Sequence, residues 1–424
     1  MSPVSPSEEP AAIDTVRGWV QRITPTPTPE LRTVTVRGDG RLRAFTAPAE
    51  LVADLTEQSV IRAKVEIPAG STAGPDTPPH ATSIEVVSRA LPLPVDIHDP
   101  DLADLDHRHL HIRSDRLRAT ALFRHAIQKY VREFLDGQGC TLVQTPLLVG
   151  ASSVSSGGVF SFPYHGDQAA CLPQSNWMYA DAMVSALERV YTFGPTFRQE
   201  SEATGNHLVE IWQVSVDLAW ADYRELMALE EEMLRQVARS LAAHHGDLYE
   251  LAGLDGGHLA DFERPFARIS YAESLAVLRD LGHDLAFGDD FSKADSDALS
   301  ATFDRPYFVT QFPKELKNFW FPTEETPEGI SVTPTSDLYA HTGHGEIIGG
   351  GERTHDVDEL LVNLRRKGAD LAKFDWLVDL RRYGGVPHAG FSMGFDRLVA
   401  MFMGVPDIRE AVLFPRVPNS PIRP

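Results

Sequence analysis

Two stretches of this chain, TFGPTFRQE at residues 192–200 and GFSMGFDR at residues 390–397, each place one arginine beside small and aromatic residues. The two arginines are Arg198 and Arg397. A guanidinium presents five N–H donors in a planar fork, which fits phosphate oxygens better than the point charge of a lysine does. Either stretch alone is as typical of an ordinary surface arginine as of a binding site. Their occurrence together predicts a site for a phosphorylated ligand.

The composition is typical of a soluble protein with more than one domain. At 424 residues the chain is long enough for two or three domains. No apolar run approaches the ~20 residues that a membrane-spanning helix needs, so we expect no membrane contact. The two cysteines, Cys140 and Cys171, stand in unrelated contexts, which favours a cytoplasmic protein. The 39 basic and 60 acidic residues give a net charge of −21, so any contact with RNA needs a local basic surface.

The N-terminal part of the chain is predicted to be a tail followed by a small barrel. Residues 1–14 lack a basic start and an apolar stretch, which indicates a disordered tail rather than a signal peptide. Residues 15–95 alternate five short β-type runs with Pro- and Gly-rich connections, a spacing typical of a small β-barrel. A linker that follows a proline-rich segment is predicted over residues 96–113.

Residues 114–424 are predicted to form an α+β domain on a mostly antiparallel sheet. Apolar residues recur at helical spacing over 118–135 and over 223–244. A strand is predicted over 141–146, where Pro146 closes it. The remainder mixes apolar strands with further helices, and it contains no internal repeat.

The two arginine stretches resemble motifs 2 and 3 of the class II aminoacyl-tRNA synthetases. The helix and strand that end at Pro146 resemble motif 1, the dimer-forming element of that class. The best match is to the asparaginyl enzymes of subclass IIb, and it covers roughly residues 104–417. It depends on four segments taken together: YTFGPTFRQE at 191–200, FVTQFPKELK at 308–317, GEIIGGGER at 345–353 and RRYGGVPHAG at 381–390. The resemblance implies an OB-like barrel before a class II catalytic domain, a homodimer, and an adenylate-forming ligase that uses ATP and Mg²⁺.

The resemblance also implies roles at the nucleotide end of the site. Arg198 would hold the α-phosphate and the substrate carboxylate, and Arg397 the γ-phosphate, so that both neutralise charge during adenylate formation. Glu200 would accept a hydrogen bond from the adenine amino group. His207 lies in the motif 2 loop that closes over ATP, and Ile211 takes the position of a phenylalanine that stacks on adenine.

A second set of implied roles concerns the metal and the amino acid. Glu346 matches a Mg²⁺-binding carboxylate and Asp337 would assist it, since Mg²⁺ prefers hard oxygen ligands. Arg353 matches the arginine that recognises the side-chain carbonyl of aspartate or asparagine. The other residues expected to bind the substrate are Ser156, Gln174, Trp177 and Gly394.

Three departures from the family bear on the substrate. The loop ASSVSSGG at 151–158 lacks the carboxylate that takes the substrate ammonium, and Ser156 stands in its place. Trp177 replaces a glutamine that helps to seat the amino acid, and Ala180 replaces the lysine of aspartyl enzymes. Aspartate is therefore disfavoured. We expect the pocket to hold an asparagine-like carbonyl while accepting a modified or absent α-amino group.

The barrel departs from the family as well, because TPTPTPE at 24–30 replaces the expected glycine- and aromatic-bearing hairpin. Trp19 and Phe45 are the only aromatic residues of the predicted barrel, whereas base recognition needs stacking aromatics and a basic groove. Anticodon reading does not follow from this sequence, so tRNA is one of several acceptors to consider.

Three interpretations remain open. The first is an adenylate-forming paralogue of the asparaginyl enzymes with an altered amino-group pocket, whose acceptor is an amine, ammonia or an unusual tRNA. The second is a genuine asparagine–tRNA ligase. The third is a non-catalytic paralogue that binds RNA or another protein. The pair Arg198 and Arg397 together with Glu346 argues against the third, because binding alone does not need a phosphate clamp.

Overall fold

The fold consists of two compact units, which span Met1–Asp96 and Ile97–Pro424 in a computed structural model. The structure describes residues 12–67, 78–150, 158–200, 205 and 207–423. None of the helices in these ranges is long and apolar enough to cross a membrane.

The first unit is a closed barrel of five strands, as the sequence predicts. The first strand starts at Ala12, so residues 12–14 belong to the barrel and not to the predicted tail. Its alternating apolar side chains point inward and pair with those of the next strands, which gives the barrel a core of its own. The strands are β1 (Ala12–Pro25), β2 (Leu31–Gly38), β3 (Arg41–Pro48), β4 (Val60–Ile67) and β5 (His80–Ser88), and a 3₁₀ helix spans Ala49–Val52.

The second unit is an α+β domain, as predicted. Its helices are α1 (Arg108–His111), α2 (Asp115–Gly137), α3 (Trp177–Leu187), α4 (Tyr223–His244), α5 (Gly246–Ala252), α6 (Tyr271–Asp280), α7 (Lys293–Ser300), α8 (Val357–Arg366), α9 (Leu371–Arg382) and α10 (Phe395–Met403). Its strands are β6 (Thr141–Leu142), β7 (Ser161–Pro163), β8 (Ala169–Cys171), β9 (Arg189–Phe197), β10 (Glu210–Ala219), β11 (Ala267–Ser270), β12 (Tyr307–Thr310), β13 (Glu324–Glu325), β14 (Ser331–Val332), β15 (Thr335–Ala340), β16 (Gly345–Arg353) and β17 (His388–Gly394). Short 3₁₀ helices span Gly257–Glu263 and Ile408–Ala411.

An eight-stranded sheet in the order β11-β12-β15-β16-β17-β10-β9-β6 forms the centre of this unit. Its pairs are antiparallel except β11 with β12 and β6 with β9, which confirms the predicted mostly antiparallel sheet. Helices α2, α4 and α10 cover one face and contribute to one large apolar core. Several of the segments that the sequence analysis quotes form central strands of this sheet, namely parts of β9, β16 and β17.

Helix α4 has the predicted bounds because its N-terminus is closed by a capping box. The Asp222 carboxylate accepts from the backbone N–H of Glu225 at 2.8 Å, and the Glu225 side chain accepts from the backbone N–H of Asp222 at 3.0 Å. The predicted strand 141–146 is shorter than expected, since β6 ends at Leu142. Beyond β6, the backbone N–H of Val143 still donates to Tyr191 O at 2.8 Å. Pro146 has no N–H, so it cannot extend this pairing.

Helix α4 also buries one carboxyl group without a partner. The Glu230 side chain is inaccessible to solvent, and neither of its carboxylate oxygens accepts a hydrogen bond from a described residue. Burial raises the pKa of Glu230 well above its ordinary value of 4.5, and the charge of Asp337 raises this pKa further. The folded protein therefore favours the protonated form of Glu230.

We predict that Glu230→Gln stabilises the protein increasingly as the pH rises. In the folded state Glu230 has a raised pKa, so its contribution to stability is complete below pH 4.5 and is lost as the pH rises toward the folded-state pKa. This loss amounts to about 1.4 kcal/mol per pH unit in that window, and the amide does not suffer it. The measurement is the thermal unfolding midpoint from pH 5 to pH 8, with the exposed neighbour Glu232→Gln as the control. A difference between Glu230→Gln and the parent that does not grow with pH would contradict the assignment.

Candidate functional site

The site lies on a face of the sheet that carries few large side chains. One row of directly opposed residues crosses five strands of this sheet, and paired residues share one face. The row consists of Thr192, Ser215, Ser392, Gly349 and Asp337. Because most of its members are small, space remains above the sheet between β9 and β15.

A cavity of about 260 Å³ opens on this face. Seven residues proposed from the sequence line it: Arg198, Glu200, His207, Ile211, Glu346, Gly394 and Arg397. The other lining residues are Leu208, Gln213, Ile347, Gly349, Ser392, Asp396 and Ile408. The two arginine stretches, distant in sequence, are therefore brought together in one cavity.

Both arginines take part in backbone contacts, and the side chain of Arg198 also has a donor without a partner among the described residues. The backbone N–H of Arg198 donates to Val209 O at 2.9 Å, whereas the side-chain Nε of Arg198 is buried and donates to no described residue. Arg397 Nη1 donates to the backbone oxygen of Glu346 at 2.8 Å. Burial lowers the pKa of Arg397, Glu346 opposes this shift and Arg198 adds to it, so the three charges lie within electrostatic range. An orphaned donor beside a second arginine suits a ligand with several phosphate oxygens.

Two carboxylates meet at the edge of the cavity because of a β-bulge. The pairing of β15 with β16 skips Ile347, so Glu346 stands opposite Tyr339 and shares a face with Asp337. A Cβ added at Gly349 would lie 2.5 Å from Glu346 Oε1 and 3.4 Å from Asp337 Oδ1. The oxygens of both side chains therefore approach the same glycine.

The partners of Asp337 set its charge. Burial raises the pKa of Asp337, while Lys317, whose ammonium forms an ion pair with this carboxylate, opposes the shift.

The carboxylates of Glu346 and Asp337 beside this cavity fit a hard cation such as Mg²⁺, which takes one or two carboxylates and completes its shell with phosphates and water. The described residues contain no cluster of three or more His, Cys, Asp or Glu side chains that could hold a metal by themselves.

Arg353 and Trp177, to which the sequence assigns different parts of the substrate, lie beside each other in a cation–π contact. The Arg353 guanidinium carbon lies 5.4 Å from the Trp177 ring centroid and 5.3 Å from that of Phe321. Trp177 also packs against Trp320, with ring centroids 4.3 Å apart. Trp177 is the first residue of α3, and its ring belongs to an apolar cluster that also contains Trp320 and Phe321.

The remaining proposed substrate residues lie near the cavity or outside the described ranges. Gln174 is buried, and its Nε2 donates to Gly158 O at 3.3 Å. Gly394 precedes helix α10 and lines the cavity. Ser156 lies outside the described residues.

Two acidic residues of the site were missed by sequence reasoning. Asp396 accepts a hydrogen bond from Arg124 Nη1 at 2.7 Å and another from the backbone N–H of Trp212 at 2.8 Å. These bonds connect α10 to α2 and to β10. Its position directly before Arg397 was the signal that could have identified it. Asp217 accepts from Arg353 Nε at 3.2 Å, and only the folded sheet brings these two residues together.

A family profile described as "tRNA synthetases class II (D, K and N)" matches residues 101–418. The chain belongs to this family. The class II synthetases of the family are ligases that use ATP, and this chain shares their activity class. The two arginine stretches and the sheet that joins them lie within the matched residues.

Among the class II relatives, the asparagine–tRNA ligase of Symbiobacterium thermophilum is 37% identical over 321 residues, which are 74% of this chain and 73% of that protein. The asparagine–tRNA ligase of Pyrococcus horikoshii is 35% identical over 366 residues, 85% of this chain and 82% of that protein. The crystal structure of asparaginyl-tRNA synthetase from Pyrococcus horikoshii complexed with asparaginyl-adenylate superposes with a TM-score of 0.89 at 31% identity. This superposition covers 97% of this chain and 96% of the other. These similarities favour the second interpretation of the sequence over the first.

We predict that Arg198→Ala and Arg397→Ala each lower the rate of adenylate formation by at least ~100-fold, the scale for removing one preorganised donor to a transition state. Pyrophosphate release in the presence of ATP and substrate measures this rate. Arg239→Ala, which removes an exposed arginine paired with Glu263 at 2.7 Å, serves as the control and is expected to retain full activity. A near-normal rate in either site variant would refute the assigned role.

Proposed function

We propose that this protein is an asparagine–tRNA ligase, which activates asparagine with ATP to form asparaginyl-AMP and transfers the asparaginyl group to tRNA. The similarity to two curated asparagine–tRNA ligases at 37% and 35% identity supports this proposal. It is the second of the three interpretations that the sequence left open.

The convergence of Arg198, Arg397 and Glu346 in one cavity carries the proposal. Arg198, with its unpartnered Nε, would hold the α-phosphate as the substrate carboxylate attacks phosphorus. Arg397 would hold the γ-phosphate, so that its positive charge stabilises the departing pyrophosphate. Two guanidinium groups at one end of the cavity match the charge of a triphosphate. Glu200, His207 and Ile211 would then line the adenosine part.

Mg²⁺ is part of the proposal as a partner of ATP. When bound, this ion would offset negative charge on the phosphates of ATP. Glu346 would supply one ligand and Asp337 a second, and Lys317 fixes the position of Asp337 through their ion pair. The β-bulge that places both carboxylates on one face favours this arrangement.

The amino acid would occupy the face of the sheet between the phosphates and Arg353. Arg353 would donate to the side-chain carbonyl, and its cation–π contacts with Trp177 and Phe321 hold it in place. Gln174 and Gly394 would border the backbone of the substrate, and Ser156 is proposed from sequence alone.

The tRNA, a second copy of the chain and a cytoplasmic location complete the proposal. On the barrel, Trp19 is 42% exposed and the Arg37 guanidinium stacks at 4.8 Å from its ring centroid, an arrangement on which a base can stack.

The resemblance of α2 and β6 to motif 1 supports a homodimer. Cytoplasmic location is proposed from the sequence.

We predict that the full chain catalyses asparagine-dependent exchange of pyrophosphate into ATP and charges tRNA with asparagine. Exchange measured with each of the standard amino acids tests activation, and acid-precipitable asparagine on total tRNA tests transfer. Exchange with asparagine but no charging would leave a ligase with another acceptor. The absence of exchange with every amino acid would favour the non-catalytic paralogue and refute the proposal.

A second candidate function is an adenylate-forming ligase for an asparagine-like acid with a modified or absent α-amino group. The position of Trp177 favours it, because the indole is 2% exposed and its Nε1 donates to no described residue. A bulky ring therefore stands where the resemblance expects a glutamine that seats the amino acid. In this case asparagine itself would be a poor substrate.

Trp177→Gln distinguishes the two candidates by the direction of its effect. For an asparagine–tRNA ligase we predict that kcat/KM for asparagine falls by about tenfold, because Arg353 loses a desolvated cation–π partner. For the second candidate kcat/KM for asparagine rises, since a polar seat is restored. Pyrophosphate exchange at varied asparagine concentration measures this parameter, and Trp220→Gln, at a tryptophan that is 73% exposed, is the matched control.

A further inference from the structure

We propose that this protein binds a compact aromatic anion in a second cavity, which shares a wall with the nucleotide cavity and is coupled to it. The ligand class is a molecule of one or two fused rings that carries a carboxylate or sulfonate group. This site is separate from the places proposed for ATP and for the amino acid, so it goes beyond the proposed function.

The second cavity encloses about 310 Å³, and its wall is mostly apolar. Three phenylalanines, Phe160, Phe197 and Phe414, line it together with aliphatic and proline side chains. The ring of Phe414 is 41% exposed, so apolar surface of this wall is in contact with solvent. An apolar molecule that displaces this solvent gains free energy.

The size and the wall of the cavity favour a ring over a long chain. Cavities that bind small molecules start at about 300 Å³, so this one suits a compact ligand. Phenylalanine rings make favourable edge and face contacts with another aromatic ring. A flexible acyl chain makes no such contacts and loses more conformational freedom on binding. None of the lining residues has a buried polar side-chain atom without a partner, so the interior calls for no polar group on the ligand.

The charges at this cavity favour an anion. The lining residues include Arg108, Arg416 and Arg423, against one acid, Glu210. Arg423 pairs with Asp106 at 3.1 Å, whereas Arg416 donates from Nη1 to Arg423 O at 2.7 Å and forms no ion pair with a described residue. In a chain with a net charge of −21, a cationic wall of this kind is a local exception. It is complementary to an anionic group at the edge of an apolar ring.

The buried member of this cationic wall keeps its charge. Arg108 is 1% exposed, and its guanidinium donates to backbone oxygens, among them that of Leu413 at 2.9 Å. Burial lowers the pKa of Arg108 to about 10, so the side chain remains protonated at pH 7.5. Backbone oxygens satisfy its hydrogen bonds without cancelling its charge, which therefore adds to the attraction for an anion.

The two cavities lie on opposite sides of the same pair of strands. Neighbouring residues of an extended strand point to opposite faces. Phe197 lines the second cavity, and the next residue, Arg198, lines the nucleotide cavity. On the adjacent strand, Glu210 lines the second cavity and Ile211 lines the nucleotide cavity.

Backbone hydrogen bonds join the wall of the second cavity to Arg198. The N–H of Val209, which lines the second cavity, donates to Arg416 O at 2.8 Å. The N–H of Arg198 in turn donates to Val209 O at 2.9 Å. A ligand that packs against Phe197 and Val209 restrains the backbone that carries Arg198. Less ordering is then left for ATP to impose, so the two ligands strengthen each other's binding.

Isothermal titration calorimetry of the full chain with naphthoate, a two-ring carboxylate, tests the site. We predict one bound molecule per chain with a Kd of about 1 mM or tighter, the range for a ligand of roughly a dozen heavy atoms. Octanoate, an unbranched anion, is predicted to bind at least about tenfold more weakly. No binding of naphthoate would overturn the proposal, and equal affinity for octanoate would overturn the aromatic class of the ligand.

Val417→Trp locates the binding to this cavity, because an indole at a lining position occupies the space of the ligand. We predict that the Kd for naphthoate rises by at least about tenfold. The matched control is Val362→Trp, at a valine of α8 that is 58% exposed, and it is expected to bind naphthoate like the parent. An unchanged Kd in folded Val417→Trp would overturn the location.

Arg416→Gln tests the charge and also serves if Val417→Trp does not fold. We predict that the Kd for naphthoate rises by about fivefold, the scale of a partly exposed ion pair, while the Kd for the neutral naphthamide stays the same. Arg239→Gln, at the exposed arginine paired with Glu263, is the control. Equal effects of Arg416→Gln on the acid and the amide would overturn the preference for an anion.

The coupling is measured by repeating the titration of the parent with saturating ATP and no amino acid. We predict that ATP lowers the Kd for naphthoate by at least about fivefold. An equal Kd with and without ATP would overturn the coupling between the cavities. Naphthoate binding that weakens as a rising protein concentration makes the chain dimerise would show that a second copy fills the cavity, and would overturn the proposal. These readouts do not depend on which amino acid the protein activates, so a failure of the proposed function leaves them interpretable.

Discussion

The site depends on the absence of side chains at the centre of strands β16 and β17. A Cβ at Gly349 would lie 2.5 Å from Glu346 Oε1, and one at Gly390 would lie 1.9 Å from Asp217 Oδ1. On the opposite face, a Cβ at Gly350 would lie 2.7 Å from Phe391 Cβ and 3.1 Å from Leu226 Cδ2, where helix α4 packs. These glycines therefore meet two requirements at once. They let the helix approach the back of the sheet, and they let carboxylates cross its front.

The charged side chains on the front face of the sheet differ in whether they have a partner. Among the described residues, the Nε of Arg198 has no acceptor and the Oδ2 of Asp217 has no donor. Between them, Asp337 is held by Lys317. The chain as a whole carries a net charge of −21, so an anionic nucleotide must be attracted by these local cations and not by the overall field. An orphaned donor beside a second arginine suits the phosphate oxygens of a nucleotide.

Local patterns in the sequence predicted helix α4, the barrel and seven of the residues that line the cavity. Helix α4 could be predicted to the residue because its apolar period and its capping acid are both local. The contact between Trp177 and Arg353 could not, because the side chains approach only when α3 packs beside the sheet. The same holds for Asp217, which is separated from Arg353 in sequence and joined to it by the register of β10, β17 and β16. The bulge that aligns Glu346 with Asp337 likewise belongs to strand pairing, which a single sequence does not reveal.

The most direct test of this account is a crystal structure of the full chain with a non-hydrolysable sulfamoyl analogue of asparaginyl-adenylate. The account predicts that the sulfamoyl group contacts Arg198 and that the carboxamide oxygen points toward Arg353. An analogue that binds with its carboxamide turned away from Arg353, or that does not bind the cavity lined by Arg198 and Arg397, would contradict it.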